Sequence, residues 1–216
     1  MADDCCAAKG ETIASLAKDA GQRRVLIIVM LINLVMFIGE FGGGLIAGSS
    51  ALVADSVDMF GDAFVYALSL YALDRGARWE AGAAAVKGAL ILLFAFFVGV
   101  EMLDKIANGV VPSSRLMLVV GGVALCANLT CLALLWRFRR LNVNMSSTFE
   151  CSRNDVISNI GVLLAGAVVG LTGAAWPDIA VAGIIALLFV RSAVRVLRQA
   201  ARAWREARPI PAHDLL

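Results

Sequence analysis

Four side chains with a repeated four-residue spacing are the best candidates for chemistry in this sequence. Asp58 and Asp62 stand four residues apart in one apolar stretch, and Cys151 and Asp155 repeat that spacing in another. Residues four apart project from one face of a helix, so each pair can direct both side chains at one object. Three carboxylates and one thiolate suit a four-coordinate divalent ion, and the sulfur favours Zn²⁺ or Cd²⁺ over Mg²⁺ or Ca²⁺.

These carboxylates stand in segments that otherwise fit the interior of a membrane. Asp55 lies three residues before Asp58 and near the same helical face. Carboxylates in hydrocarbon are costly, so a cation, a proton or a hydrated cavity must offset them. The alternative is that Ser, Asn or backbone donors satisfy the aspartates within a packed bundle. Cys151 also has a simpler interpretation, as a small apolar filler of a helix.

Composition places the whole chain in a membrane. Of 216 residues, 60% are hydrophobic and 17% are charged, and the mean hydropathy is +0.82. Soluble domains are more polar than this. The five cysteines include no C-x-x-C pair and lie mostly in or beside apolar segments, which argues against a disulfide framework. The N-terminal segment lacks the charged-then-apolar plan of a cleavable signal peptide.

Six segments are long and apolar enough to cross a bilayer, which takes about 20 residues in a helix. They lie at residues 25–47, 51–73, 83–106, 115–136, 146–172 and 177–198. The segment at 146–172 is the weakest, because the residues before Val156 are polar enough for the membrane to begin there, unless a hydrated inner cavity admits them. The predicted fold class is all-α, a polytopic membrane protein with six transmembrane helices.

Basic residues are distributed unevenly between the two sides of this predicted bundle. With six spans, 16 of the 19 Lys and Arg residues fall on the side that holds both ends of the chain. Positive charge accumulates on the cytoplasmic side of membrane proteins, so both termini are predicted to be cytoplasmic. The predicted domains are a cytoplasmic N-terminal tail at 1–24, a six-helix transmembrane domain at 25–198 and a short basic cytoplasmic tail at 199–216.

Other polar and small residues in the apolar segments are expected to support the structure. Glu40 in the first span and Asn128 in the fourth are expected to be hydrogen-bonding partners or cavity lining rather than metal ligands. Two glycine pairs have the G-x-x-x-G spacing that permits close approach of helices: Gly44 with Gly48, and Gly166 with Gly170.

At these residues the chain resembles the cation diffusion facilitator family of divalent-metal/proton antiporters, across nearly all of its length. The resemblance is carried by Glu40 and the glycines of the first span, by "SSALVADSVDMFGD" at the second and by "SRNDVISNIGVLLAGA" at the fifth. The family has six spans and binds Zn²⁺ between the second and fifth through a His-or-Asp-x-x-x-Asp pair from each. Asp58 and Asp62 match the first pair, and Asp155 matches the Asp of the second. Cys151 stands where the family usually has His or Asp.

The resemblance implies a transporter that exports a divalent metal ion, Zn²⁺ or Cd²⁺, from the cytoplasm in exchange for protons by alternating access. The metal is cargo, and no resident cofactor is expected. The implied partners are divalent metal ions, protons, the lipid bilayer of the cell inner (plasma) membrane and a second copy of the chain in a homodimer, but no nucleic acid. The soluble C-terminal domain of most members is expected to be absent, as in a short class of the family, which leaves dimerisation to helices such as the third and sixth.

Other functions fit parts of the same pattern. A proton-coupled transporter of a non-metal substrate would also use buried carboxylates, and a membrane scaffold needs none of this chemistry. Two aspartates on facing membrane helices, Asp62 and Asp155, are the arrangement of an intramembrane aspartyl protease. The G-x-G-D pattern of that class is missing, and a third carboxylate and a thiol fit it badly. The protein is therefore predicted not to be an enzyme.

Overall fold

The computed structural model describes residues 20–72, 76–136 and 143–206, and in these ranges the chain forms six α-helices and no β-strand. The helices are α1 (Ala20–Ala47), α2 (Ser50–Ala72), α3 (Gly76–Asn108), α4 (Ser114–Trp136), α5 (Val143–Thr172) and α6 (Trp176–Glu206). Each contains one of the six segments selected from hydropathy, apart from Leu73 at the end of the second segment, which lies outside the described residues. The all-α class and the six helices predicted from the sequence are confirmed.

Five of the six helices are long and apolar enough to cross a membrane. The exception is α2, which carries Asp55, Asp58 and Asp62. This helix is nevertheless enclosed, since every residue from 51 to 57 is at most 1% exposed. The aspartates of α2 are therefore carried into the bundle by a helix that other helices surround.

Large apolar side chains cover much of the outer surface of the described bundle. Ile46, Phe96 and Leu171 are 80%, 70% and 87% exposed, and many similar residues share this orientation. Apolar surface on this scale is unfavourable in water but costs nothing against lipid tails. The chain is accordingly a multi-pass membrane protein, while the side on which its termini lie stays a prediction.

The helices pack in a pattern that is similar in the two halves of the chain. In the first half α1 packs on α2, in the second α4 packs on α5, and α3 and α6 pack on each other. α2 contacts all five other helices. The main apolar core, which includes Leu52, Met117 and Val162, takes buried residues from all six helices. α2 therefore lies at the centre of the bundle, next to every other helix.

The turn between α1 and α2 brings those helices into close contact. Gly48 has a φ of +63°, and the N–H of Ser49 donates to the carbonyl of Gly44 at 2.9 Å. Glycine adopts such a conformation at a helix end without a steric penalty. Gly44 lies so near α2 that a Cβ there would be 2.9 Å from the backbone nitrogen of Val53. Gly48 therefore ends the helix, and Gly44 allows the close packing.

The second glycine pair brings α5 close to α4. A Cβ at Gly166 would lie 3.0 Å from the Cβ of Met117, and one at Gly170 would lie 3.1 Å from Oγ of Ser114. Both contacts are tighter than ordinary van der Waals packing. The predicted role of this pair in close helix approach is confirmed.

Gly44→Ala is expected to destabilise the protein by about 1–3 kcal/mol, because the new methyl group meets the backbone of α2 and forces the helices apart. Gly42, on the same helix, is a matched control, since a Cβ there meets nothing within 4 Å. Gly42→Ala is expected to leave stability unchanged or to raise it by up to about 1 kcal/mol, because alanine favours a helix. Thermal unfolding in detergent compares the two variants, and equal Tm values would contradict the close contact at Gly44.

The last helix extends beyond the predicted domain boundary at residue 198. α6 continues to Glu206, and its buried face includes Ala193, Val196 and Ala200. Packing against α3 accompanies this extension, since a Cβ at Gly82 would lie 3.4 Å from Cζ3 of Trp204. The predicted tails fall largely outside the described residues, and the domain boundaries stay a prediction.

Candidate metal centre

Carboxylates from α1 and α2 come together inside the bundle. Asp55 and Asp62 are 1% and 5% exposed, and Glu40 of α1 is completely buried. Asp58 is partly buried. The Glu40 carboxylate interacts electrostatically with those of Asp55 and Asp58, which also interact with each other. The face of α2 identified from residue spacing is therefore an acidic face directed into protein.

The first half of α5 has a polar face that is also buried. Ser152, Asp155 and Asn159 follow one another at spacings of three and four residues, and each is at most 8% exposed. Nδ2 of Asn159 donates a hydrogen bond to Oδ2 of Asp55. This bond joins the polar face of α5 to the acidic face of α2.

The four predicted ligands belong to these two helices. Asp58, Asp62 and Asp155 each interact with a neighbour, so none of them is unpartnered. The backbone of Cys151 lies in α5, but its side chain is outside the described residues. Within the described part of the chain, no three His, Cys, Asp or Glu side chains are grouped so as to hold a metal ion. The four-ligand set therefore stays a prediction.

Several buried polar atoms near these faces have no hydrogen-bond partner among the described residues. They include Oδ1 of Asn159 and Oγ of Ser152, while the Glu40 carboxylate faces that of Asp55. An unsatisfied buried group costs about 1–3 kcal/mol, and adjacent buried carboxylates repel each other unless a cation or proton lies between them. An interior rich in unused oxygen acceptors is suited to binding a cation or protons.

A cluster of aromatic rings packs α1, α2 and α3 against one another. The ring centroids of Phe37 and Phe60 are 5.1 Å apart, and those of Phe60 and Phe94 are 5.5 Å apart. Phe41 also contacts Phe37 and Phe94. Aromatic contacts of this kind bury large apolar areas at defined geometry. They hold α2 between α1 and α3 through a face of the helix that differs from the one carrying its carboxylates.

A second polar cluster lies where α2 begins. Asp178, in the first turn of α6, has no exposed surface. Its Oδ1 accepts a hydrogen bond from Oγ of Ser49 at 2.6 Å. Its carboxylate also accepts hydrogen bonds from the backbone N–H groups of Ser50 at 2.9 Å and Ala51 at 3.1 Å. One acidic side chain of α6 therefore satisfies the start of α2.

Lys105, near the end of α3, completes this second cluster. Its Nζ donates to Oγ of Ser50 at 2.7 Å. The same Nζ lies 2.8 Å from Oε1 of Glu101 and 3.9 Å from Oδ2 of Asp178. Lys105 is only 5% exposed, and the two acids compensate its buried charge. Three helices are thus joined by charged groups at the start of α2.

Asn159 and Asp178 are not among the site residues predicted from the sequence. A signal for Asn159 was available, because it continues the four-residue spacing after Asp155. For Asp178 the only local sign is an acid directly after Pro177 at the start of a helix, where acids are common. Its backbone partner Ser50 is 128 positions away, and no spacing rule connects them.

Comparison with known proteins identifies a family with the same extent as the helical bundle. The family described as Cation efflux transmembrane domain matches residues 26–203. The match begins in α1, ends in α6 and includes both polar clusters.

Individual relatives are distant but similar over most of this chain. A Bacillus subtilis protein named Cadmium, cobalt and zinc/H(+)-K(+) antiporter is 24% identical over 199 residues, covering 84% of this chain and 64% of the relative. The Metal cation efflux system protein CzcD of Cupriavidus metallidurans is 27% identical over 179 residues, covering 77% and 57%. Zinc transporter ZitB of Yersinia pestis is 25% identical over 206 residues, covering 89% and 66%. The chain thus spans less than two thirds of the length of each of these relatives.

Proposed function

We propose that this chain, which belongs to the cation efflux transmembrane domain family, exports a divalent metal ion of the Zn²⁺ or Cd²⁺ kind in exchange for protons. The observation that carries the proposal is the acidic face of α2 packed against the polar face of α5 and joined to it by the bond from Asn159 to Asp55. Ionisable groups buried in membrane bundles mark ion and proton pathways. The names of the relatives, which include cadmium, cobalt and zinc, support the same class of substrate.

We assign metal binding to Asp58, Asp62, Cys151 and Asp155, one pair from each of two packed helices. Metal binding would favour the arrangement of helices in which the pair on α5 faces the pair on α2. A ligand that binds one arrangement of helices better than another shifts the protein towards it. Metal binding would in this way favour one of the two states that alternating access requires.

Proton exchange follows from the same ligands. A carboxylate or thiol must lose its proton before it can coordinate a metal ion, so metal and protons compete for the site. Protonation of Asp58, Asp62 or Asp155 from the outer side would release the ion there. The proton gradient would then drive metal out of the cytoplasm.

The rival functions have less support. An intramembrane aspartyl protease would need Asp62 and Asp155 to act as a catalytic dyad, whereas the family that matches this chain is one of cation efflux proteins. A transporter of a non-metal substrate would leave Cys151 only the role of a small apolar filler. Metal transport accounts for the acids and the thiol together.

We further propose that the protein acts as a homodimer in the cell inner (plasma) membrane, with both termini in the cytoplasm. α3 and α6, which pack on each other, carry large apolar side chains that point away from the bundle, among them Phe96 and Leu187. These side chains offer a surface on which a second copy could pack within the bilayer.

Metal uptake by the purified chain in sealed proteoliposomes tests the proposed function. With an acidic lumen, Zn²⁺ and Cd²⁺ are expected to accumulate inside, whereas Mg²⁺, which prefers oxygen ligands and retains its water, is not. Protein-free liposomes provide the background. Uptake of Zn²⁺ and Cd²⁺ no faster than this background would contradict the proposal.

Substitutions at Cys151 are expected to change the preference among metals. Cys151→His should retain Zn²⁺ flux and lower Cd²⁺ flux relative to it, because imidazole is a harder donor than thiolate. Cys151→Ser should weaken the transport of both ions, Cd²⁺ most, since a neutral hydroxyl is a poor donor to soft ions. Competitive uptake of the two ions measures the ratio. An unchanged Cd²⁺/Zn²⁺ ratio in both variants would make Cys151 a packing residue.

A further inference from the structure

We propose that Asp178 of α6 is a positioning residue for the metal site, which it controls through the N-terminal backbone of α2. The inference rests on the proposed function, because it concerns the alignment of Asp58 and Asp62 on that helix. Asp178 is too near the start of α2 to share an ion with these residues. Its effect on metal binding is therefore indirect.

Asp178 holds the start of α2 in a defined place. The first N–H groups of any helix have no partner within the helix. Here Asp178 accepts two of them, from Ser50 and Ala51. Ser49 provides a local cap by accepting the N–H of Leu52 at 3.2 Å, while its own hydroxyl donates to Asp178. These contacts fix both the axial position and the rotation of the first turn of α2.

α2 transmits the position of its first turn to the metal ligands. The helix is continuous from Ser50 to Ala72, so Asp58 lies about 12 Å along it at 1.5 Å per residue. Metal ligands must be placed to within about 0.2 Å of their ideal distances. A small shift or rotation at the start of α2 therefore moves Asp58 and Asp62 relative to the pair on α5.

The negative charge of Asp178 contributes to this attachment. Its carboxylate faces the positive N-terminal end of α2 and stands in the first turn of its own helix, where an acid is also favourable. Lys105 is the nearby cation, and it is shared with Glu101. An amide at this position would turn a donor towards an N–H group or the Ser49 hydroxyl. The site thus requires a carboxylate and not merely a side chain of its shape.

Asp178 and Lys105 belong to α6 and α3, the two helices that pack on each other. The helix that carries Asp58 and Asp62 is thereby attached at its start to the α3–α6 pair. Gly88 lies nearer the N-terminal end of α3 than Lys105, and the atoms nearest to a Cβ added there belong to Leu197 and Ala193 of α6. Gly88→Ala therefore disturbs the same helix pair without touching the attachment of α2, which makes it a suitable control.

The test compares the affinity for Zn²⁺ with the stability of the metal-free protein. The full chain and its variants are purified in detergent, the Kd for Zn²⁺ is measured by competition with a chelating dye, and Tm is measured without metal. Asp178→Asn is expected to raise Kd about tenfold, the effect typical of groups that orient metal ligands. Ser49→Ala, which removes the bond to Asp178 and the local cap on the N–H of Leu52, is expected to raise it severalfold. Gly88→Ala is expected to lower Tm and leave Kd unchanged.

Each outcome decides the proposal. A lower Tm with an unchanged Kd in both Asp178→Asn and Ser49→Ala would overturn it, because Asp178 would then only support the fold. If Asp178→Asn does not fold, Ser49→Ala decides in the same way. Failure of the unsubstituted chain to bind Zn²⁺ would overturn the proposed function as well. Zn²⁺ binding that is normal in the unsubstituted chain and in both variants would overturn the role of Asp178 alone.

Discussion

Asp62→Asn and Asp155→Asn are each expected to reduce Zn²⁺ flux by more than about a hundredfold. Groups that only orient metal ligands already change affinity by about 10–100-fold when they are removed, so the loss of a ligand should cost more. Each substitution keeps the size of the side chain and replaces an anionic donor by a neutral one. Both residues are at most 8% exposed, so an anion from solution cannot reach the site to replace the lost carboxylate.

The measurement is the initial rate of Zn²⁺ uptake into proteoliposomes that contain equal amounts of folded protein. Asp104→Asn is the matched control, because Asp104 is exposed near the end of α3 and accepts a hydrogen bond from Asn108 in the same helix. This control is expected to transport at the rate of the unsubstituted protein. A variant at Asp62 or Asp155 that retained half of the rate would show that its carboxylate is not a ligand.

Collapse of the proton gradient is expected to stop net metal accumulation. The physical reason is that each ion enters a site from which protons have left, so the return of protons from the acidic lumen is what releases the ion there. Uptake should therefore rise as the lumen is made more acidic at fixed outer pH. It should fall to simple equilibration when an ionophore makes the two pH values equal.

A pH-sensitive dye in the lumen provides the complementary measurement. Addition of Zn²⁺ outside is expected to make the lumen less acidic with the time course of metal uptake, and Asp155→Asn should abolish both signals. The Asp104→Asn control should preserve both. Accumulation that continues unchanged without a gradient would contradict antiport and leave metal transport by another mechanism.

Local sequence was sufficient to predict the class of fold and the position of the helices. Hydropathy summed over about 20 residues identifies a membrane helix without knowledge of its neighbours, and all six segments proved helical. The same reasoning applied to the acids, because the spacing of Asp58 and Asp62 places them on one helical face wherever that helix packs. Asp155 is buried although the residues before Val156 are polar, so its burial, like that of Asp62, depends on the packing of the helices around it.

Spacing predicted less about the glycines. The G-x-x-x-G pair of α1 indicated close packing, but it did not distinguish Gly44, which meets α2, from Gly48, which reverses the chain with a positive φ. The two roles depend on where the helix ends and on what lies opposite. Those facts belong to the packed structure and leave no periodic signal.

The contacts between helices were decided only by the tertiary structure. The bond from Asn159 to Asp55 connects residues 104 positions apart, and that from Ser50 to Asp178 connects residues 128 positions apart. The proximity of Glu40 to Asp55 and Asp58 is likewise a result of how α1 packs on α2. Helical periodicity determines which face of a helix a residue occupies, but the partner of that face depends on the rotation, tilt and axial position of a second helix, which are set by the packing of all six together.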